Sequence, residues 1–507
     1  MSVGSHNDSA VAFNAVEGAK TAPLAKRRIL ISIPSGFQVR QFLHSGVLDA
    51  LLHYGSEVLI LSPNHRGEGF AADLPEAGVK VCSLNLATGP VLRRYWQARQ
   101  HLLLSDHPTE TLRQKMIDFR RRYWLVAAIT QKGNQVLRRF PRLRRQVLQR
   151  EHLILHDRAL NALLTTEPID LILVGSPGYM MQDACLLHAA AQRKIPVMAA
   201  IMSWDNLSSK GLVNPRPDYV LVWSDHMRQE AIDIQGMPAE QIIETGSLVH
   251  DSFAKASRYG SRAENLRHLG LDPQRRLIFY GANHAGSFPD EIEVVKRIAR
   301  WVEEDAFGTA CQLWVRLHPQ AVTGPYALPT DPYRNLASER VTIELPPVRD
   351  SSLLWDLPRG DLEHLVRLMR DADVVLNTAS TIAIDAAILD RPVIGVAYDP
   401  AGDLPYDRSI RRYYDWTHMA NVVRAGAMQL GTSPRELRQK IVAYLQDPAL
   451  DREGRKRIVA QQFGRVDGGS SERVVKAILQ VLQSKSEQRP RTTAGSANKT
   501  SSPHVAI

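Results

Sequence analysis

Short apolar runs rich in Val, Ile and Leu alternate with longer amphipathic stretches along most of the chain. The runs are continuous rather than alternating, which predicts strands buried on both faces and hence a parallel sheet covered by helices. In the first half they lie at residues 29–34, 57–63, 79–84, 170–175, 196–202 and 218–223. This half is therefore predicted to be one doubly wound α/β domain.

The same pattern restarts after a polar helical stretch near residue 256, with runs at residues 276–281, 311–319, 340–345, 373–377 and 392–398. One large sheet could hold both sets, but 507 residues exceed the roughly 250–300 at which single cores stop growing. We therefore expect two Rossmann-like domains, 28–255 and 256–485, that face each other across a cleft. Residues 1–27 are expected to be a flexible leader and residues 486–507 a disordered tail.

Composition is that of a globular protein, with 44% hydrophobic and 23% charged residues, and no apolar run reaches the roughly 18–20 residues of a membrane span. The N-terminus lacks the basic start and apolar block of a secretory signal. The three cysteines, Cys82, Cys185 and Cys311, lie far apart, without the spacing of a metal site or a disulfide framework. We expect a cytoplasmic protein that needs neither a metal nor a cofactor.

A basic segment, residues 88–160, interrupts the first domain between its third and fourth strands. From residue 88 to 150 it holds fifteen Lys and Arg against three acidic residues, a surplus larger than the net charge of +10 of the whole chain. Aromatic residues are interleaved with the arginines: Tyr95, Trp96, Phe119, Tyr123, Trp124 and Phe140. This mixture suits a helix on an anionic membrane surface. A basic helical hairpin that packs on the domain is the alternative, and no nucleic-acid-binding motif accompanies the charge.

Polar residues follow two strands of the second domain, and ligands of open α/β sheets bind beyond such strand ends. In "VRLHP", Arg316 and His318 offer a guanidinium fork and a switchable donor that suit a diphosphate. In "NTASTIAID", Ser380 and Thr381 stand where a helix begins, a natural anion site, and Asp385 follows within the helix. Ordinary N-capping is the alternative for the two hydroxyls.

Two further segments extend the candidate site. The turn "YGANHAGS" after the first strand of the second domain brings Gly281 and Asn283 toward the same cleft. In the first domain, "IPSGFQVRQFLHSG" places Arg40 and His44 four residues apart on one helical face. They indicate an acceptor site or a second candidate base, or else a solvated first turn.

The strand at residues 196–202 ends in "SWDNLSSKG". Asp205, with a raised pKa, could take the proton of a hydroxyl acceptor. Lys210 could hold an acceptor anion or a departing phosphate, and Trp204 could exclude water. An Asp-capped helix start is the alternative.

These segments resemble the GT-B superfamily of nucleotide-activated transferases. The segments "DYVLVWSDHMRQEAI", "TGSLVHDSF", "VRLHP", "NTASTIAIDAAILDRPVIGVAYD" and "VDGGSSERV" occur in the order seen there. The pattern is similar to that of CDP-glycerol glycerophosphotransferases and bacterial surface-polysaccharide glycosyltransferases, and it spans about residues 28–483 apart from the insertion. The resemblance implies a C-terminal donor domain, with His318 and Arg316 near the donor phosphates and with Ser380, Thr381 and Asp385 contacting phosphate and polar headgroup. It also implies that the N-terminal domain presents acceptor and base.

The sequence departs from the glycerophosphotransferases at two places. Those enzymes end the strand before the base in Trp-His-Gly-Thr-Pro, and Asp205 stands here where their catalytic His would be. Residues 377–379 read Asn-Thr-Ala where they show Thr-Asp-Tyr. Both departures weaken the case for glycerol phosphate as the transferred group.

The expected function is that of a glycosyltransferase of cell-envelope polysaccharide biosynthesis. It would move a sugar from a nucleotide-activated donor to a hydroxyl of a cell-surface glycan or lipid-linked acceptor, at the inner face of the cytoplasmic membrane. Three alternatives stay open at this point: a CDP-glycerol-type glycerophosphotransferase, a UDP-N-acetylglucosamine 2-epimerase-like enzyme, and an inactive membrane-surface scaffold.

Overall fold

The structure is a computed structural model that describes residues 27–63, 73–75, 77–86, 89–102, 108–175, 179–284, 286–323, 327–349 and 353–488. The expected flexible leader and disordered tail lie outside these residues, apart from Arg27 and the end of the last helix.

The first sheet is parallel and has seven strands. They are β1 (Arg28–Ser32), β2 (Glu57–Ser62), β3 (Val79–Ser83), β4 (Leu171–Val174), β5 (Val197–Ala200), β6 (Tyr219–Val222) and β7 (Ile242–Glu244), in the order β3-β2-β1-β4-β5-β6-β7. The central strands β4 and β5 are buried at every residue, as their continuous apolar runs require. The edge strand β7 was not predicted, because three residues are too few for a pattern.

The second sheet is also parallel and has six strands. They are β8 (Arg276–Gly281), β9 (Cys311–Arg316), β10 (Val341–Glu344), β11 (Val374–Asn377), β12 (Val393–Val396) and β13 (Gln429–Gly431), in the order β10-β9-β8-β11-β12-β13. The prediction of two doubly wound Rossmann-like domains is confirmed, with β13 as a second short edge strand that the pattern did not reveal.

Helices cover both faces of each sheet. Those of the first domain, outside the insertion, are Gly36–Gln38, a π-helical turn Val39–Leu43, Val47–His53, Arg158–Thr166, Met181–Arg193, Asn206–Ser209, Asp225–Asp233, Ala239–Gln241 and Val249–Arg258. Those that follow are Arg262–His268, Glu291–Glu303, Pro319–Val322, Asp331–Arg334, Asp361–Asp371, Ile382–Ile388, Ile410–Asp415, Thr417–Arg424, Pro434–Gln446, Arg452–Phe463 and Ser470–Gln488. Serine caps begin several of them; Ser224, for example, accepts from the Met227 amide.

The basic insertion is helical, as predicted, and consists of Pro90–Leu102, Glu110–Arg122, Trp124–Arg139, Pro141–Arg150 and the short turn Glu151–Leu153. The helix Glu110–Arg122 contacts both domains. On one side the Thr109 hydroxyl donates to the carbonyl oxygen of Ser208 at 2.6 Å. On the other, the Thr417 amide donates to the Thr111 hydroxyl at 2.9 Å. The insertion therefore bridges the two domains.

The last helix, Ser470–Gln488, crosses back to the first domain. Its apolar face, which includes Val474 and Ile478, belongs to the core around Ile29 and Leu51. The Asp251 carboxylate accepts from the amides at the start of this helix at 3.0 and 3.1 Å. Two chain segments thus connect the domains, and the domain boundaries given above stay a prediction.

The domains also touch near the end of β1. The Gly36 amide donates to the carbonyl oxygen of Leu353 at 2.6 Å, and a Cβ at Gly36 would lie 2.3 Å from the Asp356 nitrogen. Only glycine permits this approach. None of the helices in the described part of the chain has the length and apolar character of a membrane span.

Candidate active site in the interdomain cleft

A cavity of about 300 Å³ lies between the carboxyl ends of the two sheets and takes its walls from both domains. Eight of the residues predicted from sequence line it: Arg40, Asp205, Lys210, Arg316, His318, Ser380, Thr381 and Asp385. The other four, His44, Trp204, Gly281 and Asn283, lie outside the described lining. Most, but not all, of the residues predicted from sequence therefore line one cavity.

The two outlying residues of the first domain have structural partners. The His44 ring is buried, with Nε2 2.9 Å from an Asp73 carboxylate oxygen. Trp204 is 3% exposed, and its ring lies edge-on against that of His418 at 4.9 Å. His44 therefore does not face the cavity, where a base would have to lie. Trp204 belongs to the hydrophobic core beneath the cavity rather than to the cavity surface.

Gly281 and Asn283, the two predicted residues of the second domain that do not line the cavity, lie behind its wall and support it. A Cβ at Gly281 would lie 2.1 Å from the Ile382 side chain, so glycine lets the helix Ile382–Ile388 approach β8. The Asn283 side-chain amide donates to the carbonyl oxygen of Thr378 at 2.7 Å. These residues position the loops after β8 and β11.

Asp205 is surrounded by hydrogen-bond donors. Its carboxylate accepts from the Ser203 hydroxyl at 2.7 Å and the Ser209 hydroxyl at 2.6 Å, and lies 3.3 Å from Lys210 Nζ. It makes no capping bond to the backbone of the helix Asn206–Ser209, so the Asp-cap alternative does not describe its side chain.

The pKa of Asp205 is lowered, and the expectation of a raised pKa is wrong. Burial alone raises the pKa of this carboxyl, but Lys210, His418, Lys115 and the Ser209 hydroxyl outweigh it. A carboxylate stabilised in this way is a weak base. Its clearest structural role is to hold the Lys210 ammonium.

Two lysines meet at this end of the cavity. Lys210 stays charged, because Asp205 and Tyr179 raise its pKa in spite of burial, and its ammonium lies 4.5 Å from the centre of the Tyr179 ring. Lys115 comes from the insertion and donates to the carbonyl oxygen of Ser209 at 2.9 Å. Burial and the neighbouring Lys210 lower the pKa of Lys115 to about 7. Sequence reasoning missed Lys115, because nothing in the basic segment indicated which of its cations reaches the cleft.

The arginines of the cleft are already paired. Arg316 contacts Glu344 through one guanidinium nitrogen and Asp361 through another, and Arg40 donates to the second oxygen of Asp361 at 3.2 Å. Asp361 begins the helix Asp361–Asp371 and is buried. A phosphate would have to compete with these carboxylates for the guanidinium forks. Asp361 was not predicted.

His318 is a neutral hydrogen-bond donor. Its Nδ1 accepts from the Gln320 amide at 3.1 Å, which assigns the ring proton to Nε2. Burial, with a contribution from His284, lowers the pKa of His318 to about 3. An Nε2–H on a neutral ring can donate to a phosphate oxygen without a desolvated charge.

In the turn after β11, some of the polar groups are hydrogen-bonded within the turn itself. The Ser380 hydroxyl accepts from the Ile382 amide at 3.4 Å, so the capping alternative holds for Ser380, whereas the Thr381 side chain makes no capping bond. Asp385 lies 2.9 Å from His250 Nε2, and the other nitrogen of that ring lies 2.6 Å from the Ser247 hydroxyl. These hydrogen bonds connect Asp385 of the second domain to His250 of the first.

Glu291 supports the loop after β8 from inside the second domain. It is 2% exposed, and it accepts from the Tyr280 hydroxyl and the Asn283 amide at 3.0 Å each. Burial raises the pKa of Glu291 to about 8. Within the described ranges, no group of three or more His, Cys, Asp or Glu side chains could hold a metal ion.

No protein-family model matches the chain, and no curated protein matches it. Solved structures do. A putative UDP-N-acetylglucosamine 2-epimerase from Listeria monocytogenes is 13% identical, with a TM-score of 0.53 over 91% of this chain and 98% of that one. The S. aureus MnaA-UDP co-structure is 13% identical, with a TM-score of 0.52 over 90% and 97%. UDP-GlcNAc 2-epimerase from Neisseria meningitidis bound to UDP-GlcNAc is 14% identical, with a TM-score of 0.50 over 89% and 100%. The likeness shows a GT-B fold.

Replacement of Glu291 by Gln should flatten the dependence of stability on pH. The folded pKa of about 8 lies above the reference value of 4.5, so the stabilisation is complete below pH 4.5 and is lost as the pH rises through 8. Between pH 6 and 9 the free energy of unfolding of the wild type should fall by about 3 kcal/mol more than that of E291Q. Urea unfolding at the two pH values measures this. Glu293→Gln, exposed on the same helix, should behave like the wild type, and equal slopes for all three proteins would contradict the assignment.

Proposed function

We propose that the protein is a GT-B glycosyltransferase that binds a nucleotide-activated sugar on its C-terminal wall and a hydroxyl acceptor on its N-terminal wall. One observation carries the proposal: a single cavity holds His318, Ser380 and Thr381 on one side and the Asp205–Lys210 pair on the other. Its volume lies at the lower end of the roughly 300–1,000 Å³ typical of small-molecule sites. Solved proteins that share the fold bind UDP or UDP-GlcNAc.

The donor diphosphate is proposed to bind mainly through neutral groups. The three cations that line the cavity, Arg40, Arg316 and Lys210, each already have a carboxylate partner. Among the described residues, the Nε2–H of His318 and the hydroxyl of Thr381 have no hydrogen-bond partner that would compete. In this arrangement Arg40 and Arg316 act through Asp361 as positioning residues, and Asp385 reaches the sugar hydroxyls.

On the acceptor side, the chemistry is proposed to centre on Asp205 and Lys210. As the acceptor oxygen bonds to the anomeric carbon, the bond from that carbon to the diphosphate breaks. The acceptor proton passes to Asp205, which as a weak base takes it late, and the leaving diphosphate gains its charge beside Lys210. Ser203 and Ser209 hold the Asp205 carboxylate in place.

Nucleotide binding tests the donor site. Isothermal titration of the full chain with UDP, CDP, GDP, ADP and CDP-glycerol should show binding of at least one of them. Replacement of His318 by Ala should weaken that binding about tenfold or more, the worth of one hydrogen bond to a charged group. His268→Ala, exposed in the same domain, should bind like the wild type. The proposal fails if no nucleotide binds, or if His318→Ala has no effect.

An epimerase is the second candidate, because solved structures of this fold are described as UDP-GlcNAc 2-epimerases. Such an enzyme eliminates and re-adds its own nucleotide and needs no acceptor. We expect the purified protein to leave UDP-GlcNAc largely unchanged over hours when no acceptor is present, as followed by chromatography of nucleotide and sugar. Release of UDP and free sugar, or formation of the C2 epimer, would favour the epimerase. An Asp385→Asn control would show whether such turnover arises in this cleft.

Peripheral attachment to an anionic membrane is proposed for the insertion. An apolar face of exposed side chains lies along the helices Trp124–Arg139 and Pro141–Arg150 and the residue between them: Trp124, Leu125, Ile129, Val136, Phe140 and Leu143. Exposed cations flank it, among them Lys132, Arg139 and Arg142. Of the six aromatic residues noted in the sequence, only Trp124 and Phe140 are exposed. Apolar side chains between cations suit an interfacial helix on anionic lipid.

Vesicle flotation tests the apolar face. The full chain should float with vesicles of phosphatidylcholine and phosphatidylglycerol but not with phosphatidylcholine alone. The double variant I129D/F140D should bind at least about tenfold more weakly, because Ile129 and Phe140, 65% and 56% exposed, would each bury apolar surface in the lipid. Leu450→Asp, at an exposed apolar position of the C-terminal domain, is the matched control. Flotation that ignores lipid charge, or equal flotation of all variants, would remove the proposal.

A further inference from the structure

A second cavity, of about 450 Å³, lies beside the cleft and is walled largely by the insertion. Tyr179 and Lys210 line both cavities, so the two spaces meet at the Lys210 ammonium. The remaining lining comes from the helices Pro90–Leu102 and Glu110–Arg122 and from Tyr123. The second cavity therefore opens on the proposed acceptor side of the cleft.

Charge in the second cavity is positive once its ion pairs are set aside. Arg99 is buried and paired with Glu151 at 2.6 Å, and the Asp118 carboxylate accepts two bonds from Arg412 at 2.7 and 2.8 Å. Lys115 and Arg122 have no carboxylate partner among the described residues. Lys115 contacts a backbone carbonyl and Arg122 lies over a tyrosine ring.

A buried ring nitrogen in the same cavity lacks a partner. His101 is 1% exposed, and its Nδ1 makes no hydrogen bond within the described chain. Its ring stacks on Phe119 with the centres 4.8 Å apart, and burial lowers the pKa of His101 to about 4, so that the ring is neutral. Buried polar atoms are normally satisfied, so a ring nitrogen without a partner among the described residues can serve a ligand in this cavity.

The second cavity is walled by helices that also support the apolar face. The helix Trp124–Arg139, which carries most of the apolar face, packs against both Pro90–Leu102 and Glu110–Arg122. Its inward side includes Ala127 and Leu137, and those two helices wall the cavity.

We propose that the second cavity binds a phosphate ester carried by the acceptor, with Lys115 and Arg122 as its cationic ligands and His101 as a hydrogen-bonding ligand. This proposal rests on the glycosyltransferase function proposed above and adds the acceptor's chemical class. Trp96 and Tyr123 supply aromatic faces for the group attached to the phosphate. The phosphate can belong to a lipid headgroup or to a glycan, and both offer the same anion to these residues.

Binding of a phosphate should draw a proton onto Lys115. Its pKa of about 7 reflects burial and Lys210, which lower it, against Asp205 and Asp118, which raise it. His418 also faces Lys115 and is neutral, with its pKa lowered by burial to about 4. An added anion raises the pKa of Lys115, so binding at pH 7.5 should take up protons.

Isothermal titration of the full chain with glucose 1-phosphate and with dihexanoyl phosphatidic acid, in two buffers of different ionisation enthalpy, tests the site. We expect at least one of the two phosphate esters to bind with proton uptake. Lys115→Met and Arg122→Gln should each weaken this binding about tenfold. Arg120→Gln, exposed on the same helix, should not weaken it. Arg122 is exposed, so R122Q keeps the test valid if K115M does not fold.

The two phosphate probes separate the sources. Tighter binding of glucose 1-phosphate supports a glycan phosphate, and tighter binding of dihexanoyl phosphatidic acid supports a lipid headgroup. The site is overturned if neither binds, or if Arg120→Gln weakens binding as much as Arg122→Gln does. Titration with UDP distinguishes the two proposals. If UDP binds but neither phosphate ester does, only the inference about the second cavity is overturned. If a phosphate ester binds but no nucleotide does, the second cavity is supported as a binding site and the proposed glycosyltransferase function fails.

Discussion

Charges that are taken out of water between the two domains have to be paired, and the arrangement of the cleft follows from this constraint. Asp361 receives both Arg40 and Arg316, one from each domain. Arg349 of the second domain pairs in the same way with Asp73 of the first. The two contacts between domains, Arg40 with Asp361 and Arg349 with Asp73, exist only while the walls are near, although Arg316 and Arg349 keep carboxylate partners within the second domain. The closed cleft is therefore an electrostatic unit, and any ligand that enters must replace these pairings or use the neutral donors between them.

The fold was predictable because its signals are local. Continuous apolar runs mark buried strands wherever they stand, and the residue after each run marks the edge where ligands bind. The pairings were not predictable. Arg40 and Asp361 are 321 residues apart, and Asp385 lies 135 residues from the His250 that it contacts. No periodicity shows which distant side chain will face another. The same limit contributed to the wrong prediction of a raised pKa for Asp205, because His418 and Lys115 lower that pKa together with the nearby Lys210.

For the insertion, too, the sequence did not reveal which parts would contact the rest of the protein. Its charge surplus was evident from sequence, and its helical character followed from its pattern. Which face would meet the protein was not evident, and four of the six aromatic residues turned inward. The helix Glu110–Arg122 lies beside the cleft, because Thr109 and Thr111 bond to opposite domains. A segment outside the recognised sequence pattern thus bridges the two domains that form the cavity.

The return of the last helix has a consequence for biosynthesis. The core of the first domain includes Val474, Ile478 and Leu482, which leave the ribosome after the whole second domain. Until then the helix Val47–His53 lacks one of the surfaces against which it packs. The first domain is therefore completed only after the second has been synthesised, and the apolar side chains that the last helix covers stay exposed in the nascent chain until then. Chaperones that recognise apolar segments have their longest opportunity at these side chains.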